Sequence, residues 1–313
     1  IFEGEKILVE RINVIGNNVT NEDVIRSELE VDEGDPFSKL NIEKSISRLK
    51  ARNIFNNVNY EIKDGTENNL KVVDINVEEK PTGEISAGAG IGTSGGSFAI
   101  SISENNWLGE GKKLNFQIEA DKESLGGILN YTNPNYDFLG NSINYFISTT
   151  SNDKPDQGYE NSTVSTGINT SFEQYKNVFA KLGVSASYDD LRTDSSASAS
   201  LAKQSGEFTE IATTYGFSFD GRNRAFMPTK GSIIDFDQTL PVYADKSYIS
   251  NTLKFSKYTS FTDNIVGAGK LFLTNINGLN DDDVRLSKRK SLSTIQLRGF
   301  EKNKIGPIDG KDH

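Results

Sequence analysis

The sequence contains no cysteine, and its single histidine, His313, is the last of 313 residues. Without cysteine there is no disulfide framework, thiol nucleophile or zinc–thiolate site. A Ser-His-Asp triad or a histidine metal site would have to be assembled at a chain end, so no catalytic or metal constellation is expected. Proline is scarce, at 7. No stretch approaches the ~18 consecutive apolar residues of a membrane-spanning helix, and no segment reads as a secretory signal. Hydrophobic residues make up only 35%, low for a packed core in a chain of this length. Net positive charge is missing too: the balance is −10. That argues against nucleic acid as a partner, because nothing neutralises phosphates in bulk.

What is present is glycine, at 28, with abundant Ser, Thr and Asn and 10% aromatics. A disordered chain would share the polarity but not the aromatics or a regular β pattern. The composition leaves a polar all-β protein, or a β-barrel that buries one face in lipid. The length has room for two or three domains. The opening Ile1-Phe2-Glu3-Gly4 has no start Met, and the chain reads as a piece of a longer protein.

The first eighty or so residues mix helix and strand. Ile7, Val9, Ile12 and Val14 mark a strand closed by the Gly16-Asn17-Asn18 turn. Thr20 or Asn21 caps a helix with Val24, Ile25 and Leu29 on one face. After Glu33-Gly34-Asp35-Pro36, Ser38 or Asn41 starts a second helix carrying Leu40, Ile42, Ile46 and Leu49. Two alternating strands follow, through Val58, Tyr60, Ile62 and then Val73, Ile75, Val77. The order is β-α-α-β-β, with the helices on a three-stranded sheet.

Pro81 and Gly83 mark a boundary, giving one domain over 1–81 and a second over 82–313. Helical periodicity does not return. Segments with period two run instead through Ile85, Ala87, Ala89, Ile91; Phe98, Ile100, Ile102; Leu114, Phe116, Ile118; and Leu129, Tyr131. They continue through Ile143, Tyr145, Ile147; Val164, Ile168, Phe172; and Ala180, Leu182, Val184, Ala186, Tyr188. The last are Ile211, Tyr215, Phe217, Phe219; Ile234, Phe236; Leu253, Phe255; and Leu271, Leu273, about eleven segments in all. The opposite face is Ser, Thr, Asn, Lys, Glu and Gly. Lipid outside and water inside select that alternation, and strands in a bilayer must pair with neighbours. Short connectors at 92–96 and 172–177 alternate with long polar ones at 148–161 and 189–207, as in outer-membrane barrels.

Five stretches carry a family resemblance. "EGDPF" between the helices and "NIFNNV" after them make residues 6–80 resemble a POTRA domain. "NWLGEGKKL" (106–114), "DGRNRAFMPTKG" (220–231) and "QLRGF" (296–300) resemble the turn and loop motifs of the BamA superfamily of outer-membrane assembly factors. The resemblance implies an α+β POTRA domain in the periplasm, then an incomplete transmembrane β-barrel in the bacterial outer membrane. About eleven of the family's sixteen antiparallel strands would be present, ending in the in-folded loop. It implies the motif-turn residues Asn106, Gly109, Gly111, Asp220, Arg222, Pro228, Thr229 and Gly231, and a lumenal loop anchor of Arg298, Gly299 and Phe300. One departure stands out: the Gly-Gly pair common before that Arg is replaced by Leu292-Ser293-Thr294.

The implied activity is insertion of β-barrel proteins, without ATP, cofactor or enzymatic chemistry. Unfolded outer-membrane proteins, accessory assembly lipoproteins and the bilayer would be its partners. Gly83, Gly88, Gly90 and Gly92 weaken the first barrel strand, so Ile85, Ala87, Gly88, Ala89, Gly90 and Ile91 are the candidate substrate-pairing edge, by β-augmentation. Val58, Tyr60 and Ile62 mark the candidate POTRA edge. A secretion transporter or TamA-like factor is the alternative. A passive porin would have neither POTRA module nor in-folded loop, and the triple Asp281-Asp282-Asp283 reads as a solvated loop rather than a cation site.

Overall fold

Two sheets of opposite character organise the chain. The structure, a computed structural model, describes residues 6–92, 95–137, 139–224, 227–262, 264–280 and 282–290. These gather into two units. One draws on residues up to Ser86 together with Ser101–Phe116 and Asn130–Gly140; the other on Ala87–Ile100, Gln117–Leu129 and residues from Asn141 on.

The first sheet belongs to a β-α-α-β-β module: β1 (Leu8–Ile15), α1 (Glu22–Arg26), α2 (Lys39–Ala51), β2 (Phe55–Asp64) and β3 (Leu70–Glu79). Its order is β1-β3-β2, with β1 parallel and β2 antiparallel to the central β3. In α2, Ser38 accepts the Asn41 N–H at 3.4 Å, and Ile42, Ile46 and Leu49 turn one buried stripe into a core shared with Phe55 and Val58 of β2 and Val73, Ile75 and Val77 of β3. Each such side chain, fully buried, is worth about 1.5–3 kcal/mol of transfer free energy. Leu40, assigned to the same stripe on sequence, is 62% exposed. Two residues from Ile42 is about 200° of helix rotation, which puts it on the solvent side. The first helix is also shorter than its pattern. It ends at Arg26, where N–H groups of Glu28 and Leu29 turn back to Ile25 and Arg26 in tight i→i−3 bonds, leaving Leu29 half-buried against the core.

The two outer strands of this sheet are not equivalent. Along β1, Val9 N–H donates to Asp35, Gly34 N–H to Val9, Phe37 N–H to Ile7, and Ile12 N–H to the Glu33 carboxylate, at 2.7–3.0 Å. The 33–37 segment thus covers β1, whereas β2 ends the sheet on the other side.

The second sheet has eleven strands in chain order: β4 (Gly83–Gly92), β5 (Gly95–Trp107), β6 (Lys112–Asp121), β7 (Ser124–Asn133), β8 (Ser142–Lys154), β9 (Tyr159–Tyr175), β10 (Val178–Thr193), β11 (Gly206–Asp220), β12 (Gly231–Ala244), β13 (Tyr248–Thr262) and β14 (Ile265–Gly278). Among the described residues the sheet is not closed, and β4 and β14 are its ends. Its burial is inverted relative to a soluble core. On β10, Leu182 and Val184 are 50% and 56% exposed, while Gly183, Ser187 and Asp189 on the opposite face are buried. Register carries this across strands: Val184 stands opposite Ile168 and Thr213, and Leu182 opposite Thr170 and Tyr215. An apolar face open to the surroundings, backed by a polar face, is the pattern of a transmembrane β wall. Among the described residues no helix is long and apolar enough to cross a membrane.

The long connectors shrink in the structure. Residues 148–161 are mostly strand, since β8 runs to Lys154 and β9 starts at Tyr159. Of 189–207, β10 takes the residues up to Thr193 and β11 starts at Gly206. The turn expected at 172–177 likewise gives way to strand through Tyr175. Polar residues such as Asn152 and Asn161 pair in register just as apolar ones do, so the ladder outlasts the apolar band. Between β10 and β11 sits a four-residue helix, α3 (Ala199–Ala202), capped by Ser198 accepting the Leu201 N–H at 3.2 Å. No helical period marked it, because one turn is too short to show one.

Candidate functional site

The "NWLG" turn after β5 is built around Asn106, which is buried. Its side-chain oxygen accepts the Gly111 N–H at 2.8 Å and closes the turn. Its amide donates at 2.9 Å to the Thr20 hydroxyl in the β-α-α-β-β module. The turn carries Leu108, Gly109 and Gly111 at positive φ, which glycine adopts without strain. Positive φ is only half of the requirement. Asn21 N–H donates to the Gly109 carbonyl at 2.8 Å, and Arg52 donates to the Gly111 carbonyl at 2.9 Å. A Cβ on Gly109 would sit 2.1 Å from the Val19 carbonyl oxygen; one on Gly111 would sit 2.4 Å from the Arg52 guanidinium and 2.6 Å from Val24. The glycines let the turn seat directly on the module's backbone.

The module's side of this latch is itself braced. The Glu79 carboxylate accepts backbone N–H groups of Asn18, Val19 and Thr20 at 2.6–3.2 Å, fixing the segment that meets Asn106 and Gly109. Burial pushes its pKa up, but the bonds from Thr20, Val19 and Asn18 together outweigh that and hold it below the usual carboxylate value. Glu28, nearly buried, lies 3.5 Å from Arg52 and 3.2 Å from Arg48 and accepts from Asn135 at 2.7 Å. Burial lowers the Arg52 pKa, with Glu28 opposing it.

The second motif turn is tied largely by its own side chains, with the Asp220 N–H reaching the Asn177 carbonyl at 3.0 Å. Asp220 accepts three bonds from Arg222, from its backbone N–H and two guanidinium nitrogens, at 2.6–3.1 Å. Asn223 accepts from the backbone of Thr229 and Lys230 and donates to the Thr229 hydroxyl. Pro228 lies between the two arms, and Gly231, at φ +100°, approaches Gly221 too closely for any side chain.

In β4, Ile85 and Ile91 are 77% and 94% exposed, and Ala87, Gly88, Ala89 and Gly90 are exposed as well. Of the POTRA edge residues on β2, Val58 faces the core, Tyr60 packs against it, and Ile62 is exposed. What that strand offers a partner is therefore chiefly backbone. Arg298, Gly299 and Phe300 lie outside the described residues. Asp282 is bonded by Lys246 at 2.9 Å and the Ser247 N–H at 3.0 Å. Nothing in the sequence pattern singled out Arg285, buried against Asp189, and Lys288, part-buried against Glu210. Those partners lie 75 to 100 positions back in the chain, and no local motif encodes the pairing.

The family models match two separate stretches of the chain. Residues 106–313 match the Omp85 superfamily domain, and residues 7–80 match a POTRA model described as surface antigen variable number repeat. The chain is 26% identical to the outer membrane protein assembly factor BamA of Neorickettsia risticii, over 99% of this chain and 42% of that protein. It is 29% identical to that of Neisseria meningitidis serogroup B, over 59% and 22%. It thus spans about two fifths, or less, of the length of these relatives. Among solved structures, BamA from Haemophilus ducreyi lacking POTRA domains 1–3 is similar with a TM-score of 0.78 at 24% identity, over 97% of this chain and 62% of that one. CdiB from Acinetobacter baumannii is similar with a TM-score of 0.58 at 11% identity, over 94% and 57%. With the Omp85 model matching residues 106–313, more than half of the chain, and the POTRA model matching 7–80 ahead of it, the chain belongs to the Omp85 superfamily.

Proposed function

We propose that the protein carrying this chain inserts β-barrel proteins into the outer membrane by letting a substrate strand pair with β4. The chain is an outer-membrane protein with its POTRA domain in the periplasm. The observation that carries the reading is β4 itself: four of its ten residues are glycine, and it is the first strand of the large sheet. Glycine contributes no side-chain packing to a seam and raises the entropy cost of strand order. A strand at a sheet end presents backbone groups that an incoming strand can satisfy. The open POTRA strand β2, with β1 covered by the 33–37 segment, offers a second edge of the same chemistry on the periplasmic side. In this reading unfolded outer-membrane proteins are the substrates and accessory assembly lipoproteins the helpers. The driving force is strand pairing and lipid burial of the substrate, not nucleotide hydrolysis.

The test is reconstitution. Liposomes holding the protein, with no nucleotide present, are expected to fold an urea-unfolded β-barrel substrate faster than protein-free liposomes. Replacing Gly88 and Gly90 by valine is expected to slow that folding by stiffening β4. Equal rates with and without protein would sink the reading.

A further inference from the structure

We infer that the segment after β14 is held on the inner face of the wall by a buried four-charge lock, whose formation requires β10, β11 and β13 to be in register. Arg285 lies 3.1 Å from the Asp189 carboxylate and over the Phe208 ring at 4.5 Å. Ser287 donates to the same carboxylate at 2.5 Å, and Thr163 of β9 reaches its other oxygen at 2.9 Å. One residue on, Lys288 donates to Glu210 at 3.1 Å and to Ser187 at 3.2 Å. Tyr248 of β13 donates to the same Glu210 oxygen at 2.9 Å. Asp189, Glu210 and Arg285 are each less than a tenth exposed.

Two features make this a lock rather than incidental pairing. Charges buried this deeply are costly unless every one is matched, so an apolar contact would hold the segment with less risk. What charges add is selectivity: two basic side chains at positions 285 and 288 must meet two acidic ones on neighbouring strands. The second feature is register. Asp189 and Glu210 stand on the inner face because β10 and β11 pair as Asp189 with Phe208 and Ser187 with Glu210. A one-residue slip would turn either carboxylate outward and leave Arg285 or Lys288 without a counter-charge. Tyr248, two strands away, adds the same condition for β13. The loop root therefore docks only on a correctly paired wall. The inference does not depend on β4 acting as the substrate seam.

None of these 313 residues is cysteine, so a reporter placed here has no competitor among them. A Leu286→Cys reporter in the full chain, folded in liposomes, is labelled with a membrane-impermeant maleimide. Glu210→Gln or Lys288→Gln is expected to raise the labelling rate about tenfold by freeing the root. The reversed pair Glu210→Lys with Lys288→Glu is expected to return the rate to within about twofold of the parent. Arg289→Gln, at an exposed neighbour, is expected to leave it unchanged. Heat-modifiable gel mobility confirms that each variant is folded. Single variants that label no faster than the parent would overturn the lock, as would a reversed pair that stays as reactive as the singles.

Discussion

At the residue scale, the latch turns on Gly109, where one methyl group decides between seating and collision. Its φ is a turn property and can be read from the motif. The Val19 carbonyl 2.1 Å from where a Cβ would stand cannot, because it comes from a segment ninety positions earlier. The expected cost of Gly109→Ala is about 1–3 kcal/mol, from the left-handed backbone and the displaced Asn21–Gly109 bond, measured as a lower urea midpoint of the liposome-folded protein. Glu79 gives a pH signature. Its folded pKa is depressed, so its contribution is full above the unfolded carboxylate pKa and disappears as pH falls through the folded one. Glu79→Gln should therefore be less stable than the parent at pH 7, with the gap closing at acid pH as the folded carboxylate protonates. A gap that is the same at both pH values would contradict the account of the 18–20 turn.

Elements show why pattern reading succeeded on strands and faltered at their ends. Alternation in 180–188 placed Ala180, Leu182, Val184, Ala186 and Tyr188 on one face; the structure exposes that face from Leu182 on while burying Ser187 and Asp189, but Ala180 is buried. The eleven segments have eleven strands as counterparts. Periodicity of apolar residues reports only the part of a strand that lies in lipid, so the polar ends of β8 to β11 read as loops. The same blindness hid the early stop of α1 and the single turn α3. Two neighbours on β10 test the face assignment. Val184→Arg, at the apolar face, is expected to cost about 2–4 kcal/mol and to lower membrane-inserted yield. Ser185→Arg, on the wet face, is expected to leave that yield near the parent's.

For the whole molecule, chain order was legible: a β-α-α-β-β module, then a membrane wall. The motif residues were legible as turns. Their wider work was not, since Asn106 with Thr20, Gly111 with Arg52, and Lys288 with Glu210 are joined across 59 to 86 positions and leave no local trace. The central claim is that a glycine-weakened β4 receives the substrate. Its most direct test is a photo-crosslinking scan during assembly of a β-barrel substrate, with the crosslinker placed in turn at residues 85–91 of β4 and at Leu182, Val184 and Ala186 of β10. The account predicts strong crosslinks from β4 to the substrate's terminal strand and only background from β10. Crosslinks as strong from β10 as from β4, or none from β4, would contradict it.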